Sequence, residues 1–557
     1  MSNPQRVVLT GFSGTGKSTV ARLLADQLGW RAIDTDDEIE REFGQTIPEI
    51  FQQQGETVFR AAERRALLSA LDQTQVVIAT GGGATVDPAL WTTDALCGPE
   101  CLTVALDADP RILLDRLWTQ QQRAGAAVVR PMLATGDPLA RSTELKAGRQ
   151  AAYDRALITF IVDRVSPGQV AAEIAAQMNT DMAAEPTLSL NAPSGRSDIF
   201  IAPGVHEQIG ILLRQRWPKA RRAWVVTDES VGRHHLGRVE QLLRDSGLVV
   251  ASQTVPPGES SKSLSVVGSL YDWLLGAGIE RGDVVIALGG GMIGDLTGFV
   301  AATALRGVGL IQVPTSLLAM VDSSVGGKTG VNHPTGKNLI GAFYQPPLVI
   351  IDPHFLRTLP KRELVSGWGE VLKHGVIQPT TPNGERADLF TFYERNAEHL
   401  VALDDPAITY AIRRNVALKA AVVEADEREA GIRAYLNFGH TLGHAIEAAG
   451  YRYLHGEAIA AGMRAETRMG QLLDMVDEPF VQRLDALLER YGLPTDITVD
   501  QQRALALTHS DKKRAAGRQH WVLPLAGGGV TIRDDVSDAI AASALAAICR
   551  PASTPSL

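Results

Sequence analysis

The chain has 557 residues, 45% of them hydrophobic and 21% charged, and a formal net charge of −9 at pH 7. The length predicts several domains, the composition is that of a globular protein in water, and the acidic balance argues against nucleic acid as the main partner. The tract around residues 284–321 contains Asp295 and Arg306 and is not a membrane span, and three cysteines without a paired framework favour the cytoplasm.

An apolar strand at residues 6–10 is followed by GFSGTGKST at residues 11–19 and by a helix through Leu28. In this strand–loop–helix context, the G-x-x-x-x-G-K-S pattern predicts a loop whose backbone N–H groups bind the phosphates of ATP. The ammonium group of Lys17 would reach the β- and γ-phosphates, and the Ser18 hydroxyl would bind Mg²⁺. The predicted ATP-binding residues of this loop are Gly14, Thr15, Gly16, Lys17, Ser18 and Thr19.

The rest of the first domain places further polar residues after strands. Asp34 and Asp36 are expected on one side of an extended segment, where one would serve Mg²⁺ and the other a substrate hydroxyl; N-capping of a helix is the equal alternative. A strand at residues 76–79 leads to three glycines at 81–83, where a ligand can approach the backbone closely. A Gly/Ala-rich segment at 123–130 predicts a mobile lid, and Arg149 lies in a helix before Tyr153.

Residues 1 to about 175 resemble shikimate kinase, a P-loop kinase of the nucleoside-monophosphate-kinase type. The phosphate loop, D-T-D at 34–36, F-R at 59–60, G-G-G at 81–83 and R-P-M-L at 130–133 occur in the family's order. The resemblance implies a Mg²⁺ contact from Asp34, a phosphate contact from Arg130 and an adenine contact from Arg123. It implies that shikimate is held by Asp36, Arg60, Gly82 and Arg149. Two arginines suit a carboxylate, and Asp36 suits a hydroxyl that must lose a proton.

The composition changes after Met178. Residues 179–196 are rich in Pro, Ser, Ala and Asn and lack a lasting period, so they predict an exposed linker that its prolines keep extended. A second α/β part begins near Ile199, and its strand at 223–227 ends at Asp228, which suits a ribose or adenine contact. A buried strand at 284–288 runs into GGGMIGD at 289–295, which resembles a pyrophosphate loop without being the Rossmann fingerprint.

Two glycine-rich loops follow, VDSSVGGKTGVN at 321–332 and GKN at 336–338. Lysine and asparagine among glycines suit a phosphate-bearing anion, although a single lysine in a loop is more often only solvated surface. From about residue 356 the pattern becomes mainly helical, and Glu370 and Lys373 are three apart on one helix.

The sequence NFGHTLGHAIE at 437–447 predicts a helix from Thr441 onward. His440 and His444 are four apart, so they share one helix face and could reach one cation together with Glu370 as a carboxylate ligand. A polar helix face with two capped histidines is the alternative. His455, shortly downstream, adds to the cluster.

Residues 197 to about 549 resemble 3-dehydroquinate synthase. The motifs GGGxxGD, VDSSVGGKTGVN, GKN, GxGEVLKHG, LNFGHTLGHAIE, LHGE and DKK occur in the family's order. The resemblance implies a Zn²⁺ or Co²⁺ site on Glu370, His440 and His455, so that His444 contacts substrate instead. The implied catalytic residues are Glu429, His444, Lys328 and Lys373. The implied NAD contacts are Asp228, Glu259, Lys262, Gly290, Gly291, Asp295, Thr315, Ser316, Lys328, Lys337 and Thr358. The implied substrate contacts are Arg306, Asp322, Lys328, Asn338, Lys373, Lys419, Arg433, Asn437, His444, Lys512 and Lys513.

Together these parts predict an α/β chain. A P-loop kinase domain with a parallel sheet would span 1–178, a linker 179–196, an α/β NAD-binding part 197–355, a mainly helical metal- and substrate-binding part 356–549, and a disordered tail 550–557. The expected activities are ATP-dependent phosphorylation of shikimate and NAD- and metal-dependent conversion of 3-deoxy-D-arabino-heptulosonate 7-phosphate to 3-dehydroquinate and phosphate. The alternatives are another sugar-phosphate cyclase in the C-terminal half, or one half that is an inactive binding module. Small molecules are the expected partners, and the synthase resemblance implies a homodimer.

Overall fold

The structure is a computed structural model that describes residues 4–124, 137–178, 185–384, 387–450, 452–508 and 519–550. Up to residue 178 its elements are β1 (Arg6–Thr10), α1 (Lys17–Leu28), β2 (Arg31–Asp34), α2 (Thr35–Phe43), α3 (Ile47–Leu71), β3 (Val76–Ala79), β4 (Cys101–Asp107), α4 (Pro110–Ala124), α5 (Pro138–Tyr153), β5 (Ile158–Ile161) and α6 (Pro167–Met178).

From residue 188 the elements are β6 (Leu188–Ala192), β7 (Gly195–Ile201), α7 (Ile209–Arg216), β8 (Arg222–Asp228), α8 (Glu229–Asp245), β9 (Val249–Val255), α9 (Leu264–Gly276), β10 (Val284–Gly289), α10 (Gly291–Thr303), β11 (Gly309–Pro314), β12 (Lys328–His333), β13 (Gly336–Phe343) and β14 (Leu348–Ile351). The last part contains α11 (Lys361–Ile377), α12 (Leu389–Arg395), α13 (Ala397–Ala402), α14 (Ala407–Ala425), α15 (His440–Gly450), α16 (His455–Leu472), α17 (Glu478–Arg490), α18 (Gln501–Thr508), β15 (Trp521–Pro524), β16 (Val530–Arg533) and α19 (Asp538–Ile548). Among the described residues, no helix combines the length and apolar character needed to cross a membrane.

The chain divides into two compact units. The first comprises Met1–Thr180 together with Glu385–Ala407, and the second comprises Asp181–Gly384 with Ile408–Leu557. The first unit is therefore built from two separate stretches of sequence, and its α12 and α13 come from the region predicted to belong to the helical part of the synthase.

The first unit contains a five-stranded parallel sheet in the order β2-β3-β1-β4-β5. Val7, Val8 and Leu9 of the central strand are at most 1% exposed, because strands covered on both faces carry continuous apolar runs. The predicted strands at 6–10 and 76–79 and the predicted helix through Leu28 are confirmed. The loop that follows β1 therefore emerges at the centre of the carboxyl edge of the sheet.

Strand β5 lies at one edge of this sheet, where α12 covers it. The side chain of Asn396 accepts the N–H of Thr159 at 2.7 Å and donates to the Thr159 carbonyl at 3.0 Å. Asn396 is 1% exposed, so the amide pairs with the strand as a neighbouring backbone would. Arg395 Nε lies 3.1 Å from Asp107 Oδ2, and Asp107 also pairs with Lys146 at 2.7 Å.

Asn396→Ala is expected to destabilise the first unit by about 1–3 kcal/mol, because it leaves a buried N–H and a buried C=O of Thr159 unpaired. Asn396→Asp keeps an acceptor for the N–H but removes the donor, and provides the matched comparison. The measurement is made on the full chain with increasing denaturant. It gives the midpoint at which kinase activity is lost and the midpoint at which the first unit unfolds. An unchanged midpoint for Asn396→Ala would show that α12 contributes nothing to the sheet edge.

The second unit contains a seven-stranded sheet in the order β6-β7-β14-β11-β10-β8-β9, parallel except for the antiparallel β6–β7 pair. Strand β6 lies inside the predicted linker, so the linker prediction is wrong for residues 188–196. The reason is a short alternation: Leu190 is fully buried, whereas its neighbours are partly or fully exposed, and five residues pair with β7. The composition of the surrounding segment obscured this edge strand.

A topological switch point lies between β8 and β10. From β8 the chain continues to β9 on one side of the sheet, and from β10 it continues to β11 on the other. The connections therefore leave in opposite directions and open a crevice at the carboxyl ends of these two strands, which is where parallel sheets bind nucleotides. The strands predicted at 223–227 and 284–288 are confirmed.

The helical part is organised around α15 and α16. Leu442, Ile446 and Ala461 belong to one buried cluster of this pair, as the predicted apolar stripe requires. An added Cβ at Gly462 of α16 would lie 1.9 Å from the carbonyl oxygen of Gly439, so only glycine lets α16 approach the start of α15 this closely. The predicted helical character from residue 356 is confirmed except for the β15–β16 hairpin.

Candidate active sites

The phosphate loop of the first unit connects β1 to the first turn of α1. Lys17 is 8% exposed, and its ammonium group donates to the carbonyl oxygens of Gly11 at 2.8 Å and Phe12 at 3.0 Å. Ser18, on the first turn of α1, is exposed. The free N–H groups of a helix N-terminus beside a buried ammonium group suit the phosphates of a nucleotide.

The two aspartates after β2 do not share an extended segment, so that prediction is wrong. Asp34 ends β2 and caps α2, because its Oδ1 accepts the N–H of Asp36 at 3.0 Å, whereas Asp36 already lies in the helix. N-capping, the alternative for these acids, is what the structure contains. Asp36 nevertheless faces the predicted substrate side: a Cβ at Gly81 would lie 2.6 Å from Asp36 Oδ1.

The glycines after β3 gather the predicted shikimate ligands. The carbonyl oxygen of Gly82 accepts from Arg149 at 3.0 Å and from the Tyr153 hydroxyl at 2.6 Å. Arg60 pairs with Glu63. Burial raises the pKa of Glu63, although the charge of Arg60 opposes that shift. A cavity of about 530 Å³ is lined by Arg60, Glu63 and Arg149 among others, so both predicted carboxylate-binding arginines face one space. Glu63 was not among the predicted residues, although its position three residues after Arg60 on α3 could have indicated it.

Several predicted nucleotide contacts of the second unit lie at the switch point. Asp228 is the last residue of β8, but its Oδ1 caps α8 by accepting from Ser230 at 2.8 Å and Val231 at 3.1 Å. Gly290 precedes α10, and a Cβ there would lie 3.4 Å from Ser316 Oγ. The start of α10, where no side chain caps the helix, fits the pyrophosphate of NAD.

Other predicted NAD contacts are held by pairs around this crevice. Lys262 Nζ lies 2.6 Å from Asp295 Oδ2. Glu259 accepts from the side chain of Asn332 at 2.8 Å. The amide of Thr315 donates to the Gly289 carbonyl at 3.0 Å, and the Thr358 hydroxyl lies 2.7 Å from His235 Nε2.

Residues 328–332 of the first predicted lysine loop and all of the second belong to an antiparallel hairpin, β12–β13, so the loop prediction is wrong for these residues. Lys328 is the first residue of β12, and Lys337 is the second residue of β13. The glycines of the motif concealed a strand in which Val331 is fully buried and Lys328 is exposed. The hairpin gives both lysines fixed positions on one structural element.

Three helices bring the predicted metal ligands together. Glu370 Oε1 lies 3.3 Å from His440 Nε2 and 3.4 Å from His455 Nε2. Glu370 is 1% exposed, and its Oε1 makes no hydrogen bond of good geometry within the described part of the chain. A buried carboxylate oxygen that faces two imidazole nitrogens fits a divalent metal ion held by two histidines and a glutamate.

The second ring nitrogen of each of these imidazoles has its own partner. His440 Nδ1 lies 3.1 Å from the Phe438 carbonyl oxygen, and His455 Nδ1 lies 3.3 Å from Glu447 Oε2. Such contacts select the tautomer that leaves Nε2 available for a metal. Burial lowers the pKa of His440 to about 4. Burial opposes charge on His455 as well, but the neighbouring carboxylates of Glu370 and Glu447 raise its pKa to about 9, so a metal ion at Nε2 would displace a proton there.

His444 is also close to this pair. One ring nitrogen from each of His440, His444 and His455 lies within 4.8 Å of the others, and so does a second set made by Asp322, Glu370 and His374. The geometry therefore still allows His440 and His444 to bind one cation, as their spacing predicts. The choice between His444 and Glu370 as ligand stays a prediction.

Acidic partners hold the predicted substrate-binding cations. Lys419 Nζ lies 2.6 Å from Asp322 Oδ1, and although burial opposes it, the Lys419 charge holds the pKa of Asp322 at about 2. Lys373 pairs with Glu370, one helical turn away as predicted. The described structure therefore compensates these buried charges in pairs instead of leaving a single cationic cluster.

A second group surrounds Glu429. Its Oε2 lies 2.5 Å from Lys328 Nζ, and its Oε1 accepts from Asn437 at 2.6 Å. Arg433 is 3% exposed and donates to the Gly326 carbonyl at 3.3 Å, which places it beside the same hairpin. Lys328 of the hairpin and Asn437 of the helical part thus meet at one carboxylate.

Of the remaining predicted substrate residues, Arg306 stands apart, Asn338 adjoins the hairpin, and others lie outside the described residues. Arg306 is exposed on a short turn with φ of 67°, and no contact joins it to another predicted site residue within the described ranges. The backbone N–H of Asn338 donates to the side-chain oxygen of Asn332 at 2.9 Å, which fixes the Asn338 backbone beside β12. Arg130, Lys512, Lys513 and the tail after residue 550 lie outside the described residues, and the side chain of Arg123 is likewise not described.

Two supporting glutamates were missed by the sequence analysis. Glu466 of α16 is fully buried and accepts from the N–H groups of Gly439 at 2.6 Å and Leu442 at 3.3 Å, so it caps the helix that carries His440. Glu447 lies seven residues after His440, on the same face of α15. That spacing was available in the sequence, whereas the contact of α16 with the start of α15 was not.

Comparisons with known proteins identify relatives of both halves of the chain. Family models match shikimate kinase at residues 13–179, the 3-dehydroquinate synthase N-terminal domain at 252–366 and the 3-dehydroquinate synthase C-terminal domain at 367–514. The 3-dehydroquinate synthase of Symbiobacterium thermophilum is 45% identical over 350 residues, which cover 62% of this chain and 96% of the relative.

Solved structures resemble the second part of the chain. ValA, the 2-epi-5-epi-valiolone synthase of Streptomyces hygroscopicus subsp. jinggangensis 5008 with NAD⁺ and Zn²⁺ bound, is 26% identical with a TM-score of 0.58, and the match covers 63% of this chain and 96% of ValA. A 2-deoxy-scyllo-inosose synthase complexed with carbaglucose-6-phosphate, NAD⁺ and Co²⁺ is 23% identical with a TM-score of 0.54, covers 64% and 98% of the two chains, and supports the fold alone. The chain therefore belongs to the 3-dehydroquinate synthase family through its second part and to the shikimate kinase family through its first.

Proposed function

We propose that this chain is a bifunctional enzyme that phosphorylates shikimate with ATP and converts 3-deoxy-D-arabino-heptulosonate 7-phosphate to 3-dehydroquinate and phosphate. For the first activity, the main support is a phosphate loop in the same unit as a cavity faced by Arg60 and Arg149. For the second, it is the convergence of Glu370, His440 and His455.

In the kinase, Arg60 and Arg149 bind the carboxylate of shikimate, because a guanidinium group pairs well with a planar anion. Glu63 holds Arg60 in place through their ion pair. Asp36 accepts the proton of the attacking hydroxyl, while Lys17 leaves the loop carbonyls and contacts the transferring phosphate. Ser18 and Asp34 hold Mg²⁺.

In the synthase, a bound NAD⁺ and a bound Zn²⁺ or Co²⁺ ion supply reversible hydride transfer and polarisation of the substrate oxygen. Glu370, His440 and His455 hold the metal. Their environment suits it, because the Nδ1 atoms of both imidazoles are already engaged.

The substrate phosphate lies against the hairpin side of the site. Lys328, Asn338 and Arg433 bind it, together with His444. Glu429, fixed between Lys328 and Asn437, moves a proton at the substrate. Lys373 and Lys419 orient the carboxylates of Glu370 and Asp322, with which they pair.

A different sugar-phosphate cyclase is the second candidate for the C-terminal half, because ValA, a solved relative at 26% identity, is a 2-epi-5-epi-valiolone synthase. The identity values favour 3-dehydroquinate synthase: 45% to a curated member over nearly its whole length, against 26% and 23% to the other cyclases. The intact phosphate loop and the convergent ligand set argue against an inactive module in either half.

Purified full-length protein tests the proposal with each substrate offered separately. ADP formation should require shikimate and Mg²⁺, and release of inorganic phosphate from the heptulosonate phosphate should require catalytic NAD⁺ and a divalent metal. Faster phosphate release from another heptulose or hexose phosphate would replace the proposed synthase reaction and leave the kinase proposal intact.

We also propose a homodimer and a cytoplasmic location. The dimer is supported by the likeness to the synthase family. The location is supported by the cysteines, since Cys97, Cys101 and Cys549 are all free thiols. Light scattering of the purified full chain measures the first, and fractionation of cells measures the second.

A further inference from the structure

We propose that Glu447 is a positioning residue of the metal centre: its carboxylate accepts the Nδ1–H of His455 and thereby directs Nε2 of that imidazole toward Glu370. This inference rests on the proposed function, because it requires a metal ion held by Glu370, His440 and His455. It adds a residue that acts on the centre through another residue.

The geometry places Glu447 behind His455 as seen from Glu370. Glu447 Oε2 lies 3.3 Å from His455 Nδ1, and Glu370 Oε1 lies 3.4 Å from His455 Nε2 on the other side of the ring. The imidazole therefore lies between two carboxylates, one facing each nitrogen. A histidine ligand that donates its second N–H to a carboxylate is fixed in tautomer and in ring orientation.

His455 needs this support more than His440 does. His440 is on the first turn of α15, and its Nδ1 contacts the carbonyl of Phe438, only two residues away in sequence. His455 is the first residue of α16, and its side chain is 35% exposed, against 11% for His440. The carboxylate of Glu447, on another helix, holds the ring of His455 in place.

Helix α15 presents the ligand His440 and the supporting Glu447 on one face. His440, His444 and Glu447 are at positions i, i+4 and i+7, so they lie along one side of the helix. Glu466 caps the start of this helix next to His440 by accepting the N–H of Gly439. One helix thus presents one ligand directly and orients another.

The other oxygen of Glu447 belongs to the hairpin. Glu447 Oε1 lies 2.5 Å from Lys337 Nζ, and the Lys337 side chain is 47% exposed. The ammonium group compensates the carboxylate charge at the oxygen that does not face His455. The role assigned here therefore predicts different effects for the two sides of Glu447: loss of the carboxylate alters the metal centre, and loss of the lysine does not.

The test uses chelator-stripped full-length protein titrated with Zn²⁺ in competition with a chromophoric chelator. Glu447→Ala should weaken Zn²⁺ binding by about 10- to 100-fold, and Glu447→Gln, which keeps an acceptor oxygen, by a smaller factor. Lys337→Ala should stay within about threefold of the unchanged chain. Glu478→Ala, at an exposed carboxylate that pairs with Gln471 and Gln482, is the control and should not change the affinity.

A second readout uses Co²⁺ in place of Zn²⁺. The ligand-field absorption bands should shift in Glu447→Ala and not in Glu478→Ala, because only the former frees a ligand ring. Kinase activity, measured on the same samples, reports that the chain is folded, and Glu447→Gln serves where the alanine variant does not fold.

The possible outcomes separate this inference from the proposed function. If the unchanged chain binds Zn²⁺ and His455→Ala does not, but both Glu447 variants bind within about twofold of the unchanged chain, the inference fails and the metal site stands. Equal losses in Lys337→Ala and Glu447→Ala would also overturn it, because Glu447 would then act through the hairpin. If His455→Ala retains full Zn²⁺ affinity, the proposed ligand set fails and this inference fails with it.

Discussion

His440→Ala, His455→Ala and Glu370→Ala should each yield purified protein without stoichiometric Zn²⁺, whereas His444→Ala should retain the ion. Removal of a residue that only orients a ligand costs about 10- to 100-fold in metal affinity, so loss of a direct ligand should cost more than about 100-fold. His444→Ala should instead lose synthase turnover, because it removes a contact to the substrate phosphate. Metal analysis by mass spectrometry together with NAD⁺ binding measures the difference.

His333→Ala is the matched control for metal content, since His333 is an exposed histidine at the end of β12. All of these variants should keep kinase activity. The three-histidine set remains geometrically available, as ring nitrogens of His440, His444 and His455 lie within 4.8 Å of one another. A zinc-free His444→Ala protein alongside a zinc-loaded Glu370→Ala protein would establish that set and reject the carboxylate.

Lys17→Met should reduce shikimate phosphorylation by on the order of 10³-fold and leave the synthase unchanged. The ammonium group donates to two loop carbonyl oxygens in the structure. It would exchange these hydrogen bonds for contacts to a phosphate when ATP binds. Methionine keeps the length and burial of the side chain but removes the charge that stabilises the transferring phosphoryl group. Steady-state ADP release with saturating ATP and shikimate measures the loss.

Arg65→Met removes a cation of the same unit that pairs with Glu42 on the surface, and it should keep kinase turnover. Asp36→Asn gives the complementary result: turnover falls while ATP affinity is retained, if Asp36 acts on the acceptor hydroxyl. If Asp36→Asn weakens only ATP binding, the roles assigned to Asp34 and Asp36 must be exchanged. Full activity of Lys17→Met would remove the phosphate loop from the mechanism.

Much of the fold follows from local pattern. The apolar runs of β1, β3, β8 and β10 were predictable because both faces of these strands are covered, and the phosphate loop because its glycines and lysine follow one of them. The linker was less predictable, since the alternation that makes β6 a strand spans only five residues and becomes meaningful only when β7 pairs with it.

The candidate sites were predictable to different depths. Glu370 and Lys373 could be paired from their spacing on one helix. The meeting of Glu429 with Lys328 and Asn437 could not, because it depends on how the hairpin and the helical part pack. The family resemblance identified the residues of the site. The structure adds that acidic partners hold most of the cations in place.

The discontinuous first unit has a consequence for how the protein is made. The chain up to residue 178 contains all five strands of the parallel sheet, but α12 and α13 are encoded after residue 385. At usual rates of translation the ribosome needs on the order of tens of seconds to reach them. During that interval the backbone of Thr159 lacks the partner that Asn396 later provides, so the nascent kinase exposes an unpaired strand edge to which other chains can add.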